Sequence, residues 1–208
     1  SEKSHLEAQR YGKMNIAASA VDTGFTAVPA VESWKLSKNA AYLHLCTNET
    51  INGVEYHFTP DLAATHGADF KDMPIVADMS SHILSRPVDV SKYGLIYGGA
   101  QKNIGPAGLT IVIVREDLLV DANGQSRAHA HCPSAFNYKV VADSDSMYNT
   151  PPTYSIYIAG LVFKWLKAQA SQGLSPLEAM AAKNHAKADL LYGYLDSTDF
   201  YASRVNQA

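Results

Sequence analysis

The chain has 208 residues, 47% hydrophobic and 18% charged, which is the balance of a globular protein and excludes a disordered, collagen-like or coiled-coil chain. Seventeen Lys and Arg against twenty Asp and Glu leave a net charge of −3, so no overall positive field draws the chain to nucleic acid. At this size roughly 70% of the extended-chain surface can be buried, so a core needs no disulfide or metal to hold it.

In chain order, SEKSHLEAQR reads as a polar helix start with Ser4-His5-Leu6-Glu7 as a capping box, not as a signal peptide. Ala41 to Cys46 alternates as a strand should, Gly53 to Phe58 follows an Asn52-Gly53 pair suited to a tight turn, and Thr65 to Asp72 reads as a polar surface loop. Pro74 to Asp78 is a compact apolar strand. Gly94 to Gly98 and Leu109 to Val114 are near-continuous apolar β-formers, of the kind that a sheet covered on both faces requires. A second polar loop, Asp121 to His131, precedes two helices. The first follows Pro151-Pro152, which suits a first helical turn, and offers Ile156, Leu161, Phe163, Trp165 and Leu166 for burial. The second opens on Ser175-Pro176-Leu177-Glu178, a capping box with proline at the first helical position, and repeats Leu177, Ala181, Ala188, Leu191 and Leu195 near helical spacing. DFYASRV then reads as the start of a further element.

Strand and helix signals alternating in this way predict an α/β fold, a mostly parallel sheet flanked by helices. The longest nearly uncharged apolar stretch, Tyr154 to Phe163, falls well short of the ~20 residues that span a bilayer. Cys46 and Cys132 share no paired spacing, which fits a reducing compartment, so the expectation is a soluble, cytoplasmic protein.

Two residues stand where chemistry is expected. Asp78 ends an apolar strand, and ligands of open α/β sheets bind beyond the carboxyl ends of strands; its plainer role is to N-cap a helix over Met79 to Leu84. Lys102, in YGGAQKNIGPAGLTIVIV, lies between the two most apolar strands among Gly98, Gly99, Gly105 and Gly108, which predicts an enclosed stem; its plainer role is a solvated loop lysine. An enclosed amine can attack a carbonyl to form a Schiff base, and a carboxylate can keep a pyridine nitrogen protonated. Asp78 and Lys102, each near a strand end, fit those two roles. Asn149-Thr150, ahead of the Pro151 helix, can meet an anion such as a cofactor phosphate, or can simply cap the helix. His129-Ala130-His131-Cys132 matches no common zinc spacing, so no metal is expected. GGAQKNIGPAG is neither G-x-G-x-x-G nor a Walker loop, which removes the main support for a nucleotide-binding enzyme.

The runs HLCTNETINGVEY, VADMSSHILSRPVDVSKYGLIYGGAQKNIGPAGLTIVIVREDLL and NTPPTYSIYIAGLVFKWLK resemble, almost residue for residue, the phosphoserine aminotransferase family, which are fold-type-I pyridoxal-phosphate enzymes of the class V group. The resemblance covers most of the chain. It implies that Lys102 carries pyridoxal 5'-phosphate as a Schiff base, that Asp78 pairs with the pyridinium nitrogen, that Thr50 hydrogen-bonds the cofactor and that Gln101 helps hold its phosphate. Asn149 and Thr150 match a pair that reaches the cofactor phosphate of a neighbouring subunit, implying a homodimer.

The implied reaction passes the amino group of glutamate to 3-phosphohydroxypyruvate, giving O-phosphoserine and 2-oxoglutarate in serine biosynthesis, with an analogous step of pyridoxine synthesis on a related phosphorylated oxo acid. The resemblance makes residues 1–195 part of the large cofactor-binding domain and 196–208 the start of a small C-terminal domain. The substrate-binding arginine, a phosphate-binding turn and a ring-stacking tryptophan are then expected outside this stretch, and loops 65–72 and 121–131 are longer than the family pattern. Two other readings stay open: a catalytically silent piece of such an enzyme, and a fold-type-I enzyme with a different amino donor or acceptor.

Overall fold

The structure is a computed structural model describing residues 2–171 and 173–205, and the chain divides into two units, Ser1–Met79 with Ala186–Ala208, and Ser80–His185. The first unit opens on α1 (Glu2–Ala8), which is already helical at Glu2, so Ser4 sits inside it and does not cap it. Its sheet is the parallel pair β1 (Leu43–Cys46) and β4 (Ile75–Asp78), in register from Leu43 opposite Ile75 to Cys46 opposite Asp78. The alternation in sequence becomes two faces: Leu43, Leu45, Ile75 and Ala77 are buried, while His44, Cys46, Val76 and Asp78 form a half-buried face.

Between these strands lies a small antiparallel hairpin of β2 (Asn48–Glu49) and β3 (Val54–Glu55). The Glu49 carboxylate closes its turn by accepting the Ile51 and Asn52 backbone N–H groups at 3.1 and 2.8 Å. The strand expected over Gly53 to Phe58 stops at Glu55. Beyond it the Tyr56 N–H donates to the Thr47 carbonyl at 2.8 Å, and the Tyr56 ring packs edge-on against Trp34 and Phe58.

The polar loop expected over Thr65 to Asp72 is also replaced by structure. Asp61 caps α2 (Leu62–His66) by accepting the Ala64 N–H at 2.9 Å, and a single 3-10 turn follows at Ala68–Phe70. Leu62 and Phe70 are buried, and they anchor a segment whose composition alone is that of a loop.

In the second unit, β5 (Leu95–Gly99) pairs antiparallel with β6 (Thr110–Val114). The connection from Gly99 to Thr110 is too short for the crossover that a parallel partner needs. β5 is largely buried, but β6 is not covered on both faces as expected: Val112 and Ile113 are 37% and 43% exposed. β6 is an edge strand, so its apolar composition meets cover on one side only. The helix expected over Met79 to Leu84 does not form. Those residues are turns, and Leu84 takes the left-handed conformation (φ 66°), which ends any helical path and leaves Asp78 with no helix to cap.

Asp121 to His131 is an exposed loop, as read, tightened where Asp121 accepts the Asn123 and Gln125 N–H groups, and it leads to α3 (Tyr138–Asp143). α4 (Thr153–Lys167) begins one residue after Pro152, which takes the N-cap position itself, so the two prolines precede the first turn. Of the residues expected to be buried in α4 only Leu166 is; Phe163 is half-buried, and Ile156, Leu161 and Trp165 are exposed. The helix packs through its small residue: a side chain on Gly105 would come within 3.4 Å of the Ala159 backbone nitrogen, so the close face belongs to Ala159 and the large residues fall elsewhere.

In α5 (Pro176–Asp196) the capping box is formed as predicted, with the Ser175 N–H donating to Glu178 at 2.7 Å and the Glu178 N–H donating to the Ser175 hydroxyl at 3.4 Å. Leu177, Ala181, Ala188 and Leu195 are half-buried and Leu191 is exposed. No new element begins at DFYASRV; described residues 197–205 are turns and irregular chain, and residues 206–208 lie outside the described residues. No helix among the described residues is long and apolar enough to cross a membrane.

Two outcomes follow from the capping box. Ser175→Ala should lower stability to urea at neutral pH by about 1 kcal/mol. The hydrogen bonds from Ser175 hold the Glu178 carboxyl below its ordinary range, so its contribution is present above the unfolded-state value and lost as the pH falls through the folded one. Denaturation curves of the wild type and Glu178→Gln should therefore converge on acidification; a gap that widens would contradict the assignment.

Candidate functional site

Asp78 is the last residue of β4, and its backbone carbonyl accepts hydrogen bonds from both the Thr47 N–H and the Thr47 hydroxyl at 3.1 Å. Thr47 is buried, and through it the chain leaving β1 is tied to the end of β4. Thr50 follows in the exposed turn of the β2–β3 hairpin. Of the sequence-predicted residues of the first unit, Asp78 thus lies at the carboxyl end of one strand of the parallel pair and Thr50 a few residues past the end of the other, on the side where ligands of such sheets bind.

The half-buried face beside Asp78 has its own electrostatics. Burial pushes the Cys46 thiol up from its ordinary value, and the Asp78 charge across the register pushes it further. Burial pushes His44 down, favouring the neutral imidazole, with Asp78 opposing. Tyr56 is raised, again chiefly by burial.

In the second unit Lys102 lies in the turn that leaves β5, three residues past the strand rather than at its end. Ala100 organises this turn: its N–H donates to the Leu109 carbonyl at 2.9 Å, and its carbonyl accepts the Ile104 and Gly105 N–H groups at 3.0 and 2.8 Å. Ala100 and Ile104 are both fully enclosed. Gln101 and Lys102, between these two anchors, are on the exposed side of the turn. The enclosed stem expected for Lys102 is therefore not found, because the glycine-rich surroundings bury the turn's apolar ends and not the lysine. The Gln101 amide folds back over Gly99 and would have to swing aside for a side chain there.

Asn149 and Thr150 are exposed ahead of α4, and neither caps it. Plain capping, the simpler of their two roles, is not what they do.

Sequence reasoning missed three residues that build these surroundings. They are Thr47, which grips the Asp78 carbonyl, Ser80, whose hydroxyl accepts the Gly99 N–H at 3.1 Å, and Asn103, whose side-chain amide donates to the Ile83 carbonyl at 2.7 Å. The available signal was their type and place: hydroxyl and amide side chains next to Asp78, Lys102 and paired glycines, where such groups bond to local backbone.

The family described as aminotransferase class-V matches residues 4–208. A phosphoserine aminotransferase of Herminiimonas arsenicoxydans is 57% identical over 206 residues, covering 99% of this chain and 52% of the relative. Among solved structures, the phosphoserine aminotransferase from Bacillus circulans subsp. alkalophilus is similar with a TM-score of 0.86 at 39% identity, covering 99% of this chain and 52% of its own. PLP-bound phosphoserine aminotransferase from Trichomonas vaginalis follows at 0.82 and 34%, covering 99% and 53%. The chain spans about half the length of the curated relatives it matches. These likenesses bear out the expected fold class, an α/β fold with a mostly parallel sheet flanked by helices.

The pairing of Cys46 with Asp78 gives a direct check on the electrostatics of this face. Asp78→Asn removes a negative charge that raises the thiol, so the thiolate fraction at mildly alkaline pH should grow and alkylation of Cys46 by iodoacetamide should speed up several-fold. An unchanged labelling rate would show that the carboxylate does not face the thiol.

Proposed function

Because the chain belongs to the aminotransferase class-V family, we propose that it carries the cofactor-holding part of a pyridoxal-phosphate-dependent phosphoserine aminotransferase. The observation that carries this reading is the placing of Asp78 at the carboxyl end of a parallel strand and of Lys102 in a turn anchored by Ala100 and Ile104, in a chain 57% identical to an enzyme of that name. The donor set fits the cofactor part by part. A half-buried carboxylate suits a ring N–H, a primary amine suits an aldehyde, and the Gln101 amide with the Thr50, Asn149 and Thr150 side chains suits the phosphate and the ring substituents.

When bound, pyridoxal phosphate supplies an electron sink for the charge left as the substrate loses its α-proton. Asp78 keeps the ring nitrogen protonated, and its partial withdrawal from water strengthens that ion pair. Lys102, on its flexible four-carbon stem, would hold the cofactor through its aldehyde carbon, and its amine, when free, would serve as general base and then general acid for the substrate α-proton. Thr50 and Gln101 orient the cofactor from the same subunit. Asn149 and Thr150 reach the phosphate in a neighbouring one, which makes the working protein a homodimer.

The amino donor is glutamate and the acceptor 3-phosphohydroxypyruvate, with a related phosphorylated oxo acid as a second acceptor. Residues 1–195 form part of the large domain and 196–208 open the small one. The protein is soluble and cytoplasmic.

Reduction of the cofactor-loaded full-length protein with borohydride, followed by peptide mass mapping, should place the pyridoxyl label on Lys102, and Lys102→Ala should take no label; a label on another lysine would overturn the assignment. Asp78→Asn should still bind cofactor but turn over roughly 100-fold more slowly, the scale of a lost charge-assisted contact in the barrier. Transfer from glutamate should strongly favour 3-phosphohydroxypyruvate over its unphosphorylated analogue, whereas equal rates would point to an enzyme with another acceptor.

A further inference from the structure

We infer that Asn103 is a positioning residue for Lys102, clamping the turn that carries the lysine to the backbone beside a left-handed leucine; the inference rests on the reading of Lys102 given above. After Ser80 the chain runs through turns to Leu84, whose φ of 66° is unfavourable for a leucine, since it has no polar side chain to bond the backbone locally. Such a residue persists only where its surroundings dictate it. Here the carbonyls on both sides of Leu84 are held by side-chain amides. Ile83 accepts from Asn103 at 2.7 Å and Ser85 accepts from Asn184 of α5 at 2.8 Å.

The same segment grips the Lys102 turn a second time, ahead of the lysine. The Gly99 N–H donates to the Ser80 hydroxyl at 3.1 Å, and Gly98 lies so near that a side chain there would come within 3.4 Å of Ser80 Cα. Residues 98–103 are therefore tied to residues 80–83 at both ends, with Lys102 between the ties. Lys102 is exposed and its stem has four rotatable bonds, so the reach of its amine starts from a backbone position that must itself be held. An amine that must leave and return to one carbon atom needs its Cα anchored. Asn103, the adjacent residue, adds to the Ala100 bonds within the turn one hydrogen bond that ties it to the neighbouring segment.

The test compares Asn103→Ala, Ser80→Ala and Asn184→Ala in the full-length protein. Asn184→Ala is the structural control, because it removes an equivalent bond to the same strained turn without touching the lysine's own turn. In cofactor-free Asn103→Ala, the Ile104 and Gly105 amides should exchange hydrogen faster than in the wild type. In the loaded protein, the borohydride label should stay on Lys102, the pH midpoint of the bound cofactor's visible absorbance band should move by about one unit, and kcat should fall roughly ten-fold with KM for glutamate little changed. Ser80→Ala should move the midpoint by less. Asn184→Ala should lower the melting temperature as Asn103→Ala does and leave the midpoint in place.

A wild-type midpoint in Asn103→Ala, or an equal displacement in Asn184→Ala, overturns the inference while leaving the Lys102 assignment intact. A label on a different lysine overturns both. Should Asn103→Ala fail to fold, the midpoint of Ser80→Ala decides, and no displacement there counts against the clamp.

Discussion

At Gly98 the backbone of β5 approaches Ser80 so closely that a Cβ there would already touch the Ser80 main chain. A second close approach, of Gly105 to Ala159, seats the far end of the same turn on α4. Between these two contacts the chain has little freedom. Ala100 and Ile104 are buried, the Ala100 carbonyl takes two N–H groups, and the Gly99 N–H finds the Ser80 hydroxyl. Glycines that look from composition like a loose phosphate loop are packing devices that let backbone meet backbone, and they determine where Lys102 begins.

The first unit solves a different problem, how to keep a carboxylate partly out of water at the edge of a sheet. β1 and β4 bury their leucine, isoleucine and alanine on one face and turn His44, Cys46, Val76 and Asp78 to the other. That second face is only half-buried, which is enough to shift the neighbouring thiol and imidazole toward their neutral forms while Asp78 remains reachable. Thr47 completes the arrangement by spending both its N–H and its hydroxyl on the Asp78 carbonyl, so the end of β4 cannot fray away from β1.

Much of the fold was legible in the sequence because it rests on local chemistry. Strand pattern at 41–46, 74–78, 94–98 and 109–114, and the Ser175–Glu178 capping box, depend on neighbours one to four residues apart, and all appear within a residue or two of where they were read. Apolar content in β6 and α4 predicts burial, but burial depends on what lies opposite, and β6 is an edge strand while α4 packs through Ala159. Polar content at Thr65 to Asp72 predicts a loop, yet Asp61 and two buried apolar residues suffice to fold it. A helix was expected after Asp78, and a left-handed Leu84, held from residues far along the chain, prevents it.

The sequence by itself determined the α/β class, the strand that ends at Asp78 and, to within a residue, the one that ends at Gly99, the start of α5 and the lysine and carboxylate able to serve an aldehyde cofactor, since each follows from spacing and side-chain chemistry. Only the tertiary structure decided that Lys102 is exposed rather than enclosed, that Asn149 and Thr150 leave α4 uncapped, and that Ser80, Asn103 and Asn184 hold the chain between them. These are contacts between residues about 20 to 100 positions apart, and no local pattern encodes which carbonyl a distant amide will reach.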